Sequence, residues 1–111
     1  MSNKLKIINL VTQSAEELAE EFADSNIINE LKDANLLISV YSIDGWEGNA
    51  FVLFEKEGIL YEVNGSHCSC YGLEGQWEPS ITTWKALAMR QFYGISPDYY
   101  DDLIRFIKSK A

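Results

Sequence analysis

The sequence predicts an α+β fold: an antiparallel meander of three to four strands, spanning about residues 36–71, packed by N-terminal and C-terminal helices. Three observations carry that prediction. Apolar residues recur at helical spacing between Ser14 and Leu31 and again between Tyr100 and Ile107. Between them, the β-branched and aromatic runs LLISVYSI, NAFVLFEK and ILYEV have the composition and length of strands. Short turn signals, DGWEG and Glu57-Gly58, separate these runs, as hairpins require. With 111 residues and 47% hydrophobic composition, the chain is one domain, residues 1–111, able to bury a core without metal or disulfide staples.

Residues 4–11 are a short apolar segment open to strand or helix. At Ser14 the phrase S-A-E-E forms a capping box with Glu17, and Leu18, Ala19 and Phe22 follow at helical spacing. Asp24-Ser25 offers a second cap before Ile27, Ile28 and Leu31, so two short helices, or one kinked near Asp24, are expected. The seven acidic residues from Glu16 to Asp33 are expected to face water. In the second strand Phe51 and Leu53 alternate with Ala50, Val52 and Phe54, so both faces are apolar, as in a central strand covered on both sides. Asn64-Gly65 is the strongest short hairpin signal and predicts a reversal that lays residues 66–71 back on the third strand. Glu78-Pro79-Ser80 ends the sheet. A helix is expected over about 82–92 with Ile81, Trp84, Leu87 and Ala88 inward, ended by Gly94. Ser96-Pro97 starts a last helix whose stripe is Tyr100, Leu103, Ile104 and Ile107.

Charge narrows the classes of partner. Seventeen Asp and Glu stand against nine Lys and Arg, a net charge of −8. A nucleic-acid binder needs a cationic stripe, and here the basic residues are scattered, so direct DNA or RNA binding is not expected. No apolar run approaches the ~20 residues of a membrane helix, and no signal-peptide pattern precedes the first helix; a cytoplasmic protein is expected. An acidic surface either serves solubility or meets a basic protein partner.

The chemistry-bearing residues gather in VNGSHCSCYGLEGQW. His67, Cys68 and Cys70 are all zinc-ligand types, but C-x-C is not the spacing of a structural zinc site and neither a second histidine nor a CxxC pair exists. Two cysteines at i and i+2 of a strand lie roughly 6.5–7 Å apart, the limit for a disulfide, so reduced thiols are expected. If the chain reverses at Asn64-Gly65, Cys68 and Cys70 share one face and His67 the other. That separates thiol from base, although Glu62, Glu74 or Glu78 could orient the ring in a loop. Packing of both cysteines into the core is the favoured reading; a metal-binding or thiol-dependent module at His67-Cys68-Ser69-Cys70, with zinc as cofactor, is the alternative. No catalytic constellation stands out, so the chain is read as a non-enzyme without cofactor. The candidate contact residues are the loop aromatics Trp46 and Trp77 and the acidic residues Glu16, Glu17, Glu20 and Glu21.

The segment EGNAFVLFEKEGILYEVNGSHCSCYGLEGQW, followed by Glu78-Pro79, resembles a family of small uncharacterised proteins of bacteriophage and prophage genomes, in which an antiparallel segment ends in a similar SHCSC-x-G/D-L-E-x-Q-W phrase. The likeness covers about the middle half of the chain and carries over no reaction or ligand. It implies a phage accessory protein acting in the host cytoplasm by protein–protein binding on a host or phage protein, such as an inhibitor of a host defence factor. A homodimer, formed if helices cover only one side of the sheet, is a third reading.

Overall fold

The computed structural model describes residues 10–44, 47–67, 72–90 and 97–111. Its elements are α1 (Ala15–Glu21), α2 (Asn26–Lys32), β1 (Asn35–Asp44), β2 (Glu47–Lys56), β3 (Ile59–His67), β4 (Ser80–Thr82), α3 (Trp84–Ala88) and α4 (Pro97–Lys110). The four strands form one antiparallel sheet in the order β1-β2-β3-β4. The expected α+β meander is therefore present, with helices flanking the strands.

Two separate apolar clusters sandwich the sheet, and β2 supplies both. Phe51 and Leu53 join Ile38, Val40, Leu60, Leu87, Leu103 and Ile107 on the α3/α4 side. Ala50, Val52 and Phe54 join Leu18, Phe22, Ile27, Leu31 and Val63 on the α1/α2 side. The doubly apolar pattern of β2 thus records a strand with a helical layer over each face. The expectation of a dimer face on an uncovered side of that strand has no basis in this arrangement. In β1 the register shifts between Leu36 and Ile38, which sets Leu37 and Ile38 both against the α3/α4 cluster.

The N-terminal helices form as their caps dictate. Ser14 Oγ accepts from Glu17 N at 3.2 Å, and Ser14 N donates to Glu17 Oε1 at 2.9 Å, a complete capping box. α1 stops at Phe22, and Ala23 turns left-handed at φ 53°. Asp24 Oδ1 then accepts from Asn26 N at 3.0 Å as α2 begins, whereas Ser25 makes no side-chain cap. At the β2–β3 hairpin Glu57 and Gly58 have φ 54° and 78°, the paired positive values that a two-residue turn with native twist needs.

Four expectations are corrected. The chain does not reverse at Asn64-Gly65: both pair within β3, Asn64 opposite Phe51 and Gly65 opposite Ala50. Gly65 sits in a crowded place, since a Cβ there would meet Leu73 Cδ2 at 3.0 Å and Phe22 Cε1 at 3.3 Å. The fourth strand is accordingly Ser80–Thr82, beyond the expected limit of 71, and it pairs with Leu60–Glu62 of β3. Ile81, expected inward, is 70% exposed on this outermost strand, whereas its neighbour Thr82, on the opposite face by strand alternation, is buried. The helix expected over 82–92 is the short α3, capped by Thr83, whose Oγ1 accepts from Ala86 N at 3.1 Å. Pro97 does open α4, and Leu103 and Ile107 are fully buried. Gly94, Ser96 and Trp46 lie outside the described residues.

Both long edges of the sheet carry local covers. On β1, Ser39 N donates to Leu10 O and Thr12 N donates to Ser39 O, each at 2.8 Å, so residues 10–12 act as a fragment of a further strand. On β3, the Gln76 carboxamide does the same work: Ser66 N donates to Oε1 at 2.8 Å and Nε2 donates to Ser66 O at 2.7 Å. Nε2 also reaches Gly72 O at 3.0 Å.

Candidate functional site: the acidic face of α1

α1 buries Leu18 and Ala19, so helical geometry turns Glu16, Glu17, Glu20 and Glu21 outward, and all four are exposed. Glu17 is committed to the capping box. Among the described residues, Glu16, Glu20 and Glu21 have no cation within ion-pair distance; the ion pairs there are Arg90–Glu62 and Arg105–Asp102. Among the described residues these carboxylates therefore form a negative surface without a paired cation.

That surface continues into an open cleft of about 300 Å³ lined by Glu20, Glu21, Tyr41, Gly72, Leu73 and Glu74. Leu73 is buried against the α1/α2 cluster, which fixes the 72–74 segment beside α1. Burial first, and then the negative charges of Glu21 and Glu74, push the Tyr41 phenol above its ordinary value. Tyr41 so stays a neutral hydroxyl at the floor of a negative cleft. Local pattern does not point to Tyr41, and it offers Glu74 only as an orienter of the His67 ring: Tyr41 follows Glu21 by 20 positions and Glu74 follows Tyr41 by 33, and only the packing of α1 on the sheet joins them. Such an arrangement can receive a guanidinium or ammonium group; it contains no nucleophile–base pair.

Trp77 is half-buried and folded onto the sheet. Its ring lies edge-on to Phe22 at 5.2 Å and parallel to Phe54 at 6.1 Å, and Nε1 donates to Glu30 Oε1 at 2.5 Å. The same Glu30 offers its backbone carbonyl to Lys56 Nζ at 3.2 Å. Glu30 is thus half-buried in use, where full exposure was expected, and Trp77 spends its aromatic surface on the core.

The most strongly held carboxylate is Glu62, 5% exposed on β3. Arg90 donates to it from both terminal guanidinium nitrogens, Nη1 to Oε1 and Nη2 to Oε2, the latter at 2.7 Å, and Asn64 Nδ2 donates to Oε1 at 2.8 Å. Burial alone would raise this carboxyl; hydrogen bonds from Arg90, Asn64 and Thr82, with the Arg90 charge, outweigh it and hold the group below the usual range. Glu62 is saturated with donors and anchors the end of α3 to the sheet.

The His67-Cys68-Ser69-Cys70 stretch largely lies outside the described residues; of it, only the backbone of His67 is placed, as the last residue of β3 opposite Gly48. Because the reversal at Asn64-Gly65 is absent, the expected division of the two thiols and the imidazole between opposite strand faces loses its basis. Among the described residues no group of three His, Cys, Asp or Glu side chains gathers to hold a metal. No described helix is long and apolar enough to cross a membrane. Comparisons with protein-family models, curated proteins and solved structures find no match.

Proposed function

We propose that this chain is a non-enzymatic binding protein that engages a basic surface of a protein partner through Glu16, Glu20 and Glu21 of α1 and the adjoining Tyr41–Glu74 cleft. One observation carries the reading: the α1 carboxylates stand exposed without a compensating cation among the described residues, next to a cleft whose phenol and flanking carboxylates suit a cationic side chain. Complementary charge of this kind steers encounter and sets orientation more than it sets the final affinity. The resemblance of the Ser66–Trp77 phrase to phage and prophage proteins supports a phage accessory role, with a host factor such as a defence protein as the target.

The test spares Glu17, whose loss would unfold the cap. Tagged wild-type protein is expected to recover one stoichiometric partner from host lysate, and a Glu16→Lys/Glu20→Lys/Glu21→Lys variant with unchanged circular dichroism is expected to lose it. Equal recovery by both proteins would sink the proposal. The second reading, a metal or thiol module at His67, Cys68 and Cys70, is supported by the clustering of these residue types alone; stoichiometric zinc in protein purified without chelator would favour it.

A further inference from the structure

We infer that β4 is a self-pairing edge, through which two copies of the chain join their sheets about a two-fold axis at Ile81. The β2–β3 register is unbroken from Lys56–Ile59 to Gly48–His67, and Ser66 directs its N–H and C=O away from β2, toward Gln76. By strand alternation Leu60 and Glu62 do likewise, so they bond their partners Thr82 and Ser80. Ile81, between those two, therefore turns its own N–H and C=O to the outside of the sheet. Among the described residues nothing covers them.

This differs from the treatment of the other edges. Residues 10–12 cover β1 at Ser39, and Gln76 covers β3 at Ser66. Soluble proteins blunt an open edge with shortness, charge, proline or a bulge; β4 is short and follows Pro79, but the residue whose backbone faces outward is an isoleucine, 70% exposed. A second large apolar side chain in the same β4–α3 segment, Met89, is 79% exposed.

The occupant that fits is the same strand from a second copy. An antiparallel pair centred on residue 81 sets Ile81 against the partner's Ile81, their Cα atoms about 5.5 Å apart with both backbone bonds exchanged. Ser80 then meets the partner's Thr82, polar against polar. Exposed Glu78 precedes the strand and exposed Lys85 follows it, so the two-fold brings each carboxylate toward the partner's Lys85. An isologous contact of this kind closes on itself and yields a dimer rather than a fibre. With three residues in the strand, the contact is small and the dimer exchanges with monomer.

Sedimentation equilibrium of the full chain at 0.15 M salt, where repulsion between like-charged protomers is screened beyond about 8 Å, tests this directly. A monomer–dimer equilibrium is expected over the micromolar to millimolar range, with the Ile81 amide gaining hydrogen-exchange protection as concentration rises. Ile81→Lys is expected to weaken dimerisation at least about tenfold. Ile81→Pro, which removes only an outward N–H and is tolerated on edges, is expected to do the same with unchanged circular dichroism. Glu78→Lys is expected to weaken the dimer and Glu78→Lys/Lys85→Glu to restore it. The α1 charge reversals leave it intact, so failure here is distinguishable from failure of partner binding. A monomer at every concentration would overturn the inference and leave the edge to a foreign strand; a dimer indifferent to both Ile81 variants would overturn it as well.

Discussion

At the scale of single residues, Glu62 and Gly65 separate what a side chain's type suggests from what its surroundings make of it. Glu62 is a charge on a buried strand, kept ionised by Arg90, Asn64 and Thr82. Removing it leaves a guanidinium without its partner, but the Arg90 side chain is 38% exposed and water recovers part of the loss. Glu62→Ala is therefore expected to destabilise by about 1–3 kcal/mol in urea titrations at pH 7. Since its folded-state pKa is lowered, this stabilisation is complete above the unfolded value, about 4.3, and is lost as pH falls through the folded value. Glu62→Gln should accordingly show a flatter decline of stability on acidification than wild type. Gly65 makes the opposite point. Its neighbours Leu73 and Phe22 would crowd a Cβ, while Gly58 at φ 78° has open space around it. Gly58→Asn is expected to be nearly neutral, because Asn accepts left-handed backbone, and Gly65→Asn to cost about 1–3 kcal/mol through overpacking. Thermal melts of the two variants compare the turn and clearance roles of glycine in one protein.

At the scale of elements, local signals worked where one residue's hydrogen bonds determine the outcome. The Ser14–Glu17 box formed as spelled, and Ser14→Ala is expected to cost about 1 kcal/mol, read from the urea midpoint. The Glu57-Gly58 turn and Pro97 at the start of α4 were equally legible, as were the two apolar faces of β2. Asn64-Gly65 misled because the dipeptide spells a turn only when nothing larger demands a small residue. Here the packing of Leu73 and Phe22 over β3 favours one, and the strand ran on to His67. β4 was illegible for a related reason: three residues, one of them exposed isoleucine, carry no period, and their strand character comes from pairing with Leu60–Glu62. Of the candidate site, the α1 carboxylates could be read from spacing. Tyr41 and Glu74 could not, because they belong to the site only through contacts distant in sequence.

At the scale of the whole molecule, a net charge of −8 sets a tension between stability and recognition. Like charges crowded on one surface oppose the compact state, and added salt screens them. The midpoint of thermal unfolding is expected to rise with sodium chloride, and Glu20→Lys/Glu21→Lys is expected to rise above wild type at low salt while losing its partner. A variant that gained nothing in stability would show that the acidic face is not under strain. Finally, the Gln76 carboxamide holds Ser66 on one side of residues 67–71 and Gly72 on the other. A single amide thereby fastens both gateposts of the stretch that contains the lone imidazole and both sulfurs. Exchanging Gln76 for alanine removes both of these anchors and is expected to change the alkylation rates of Cys68 and Cys70 without substituting either.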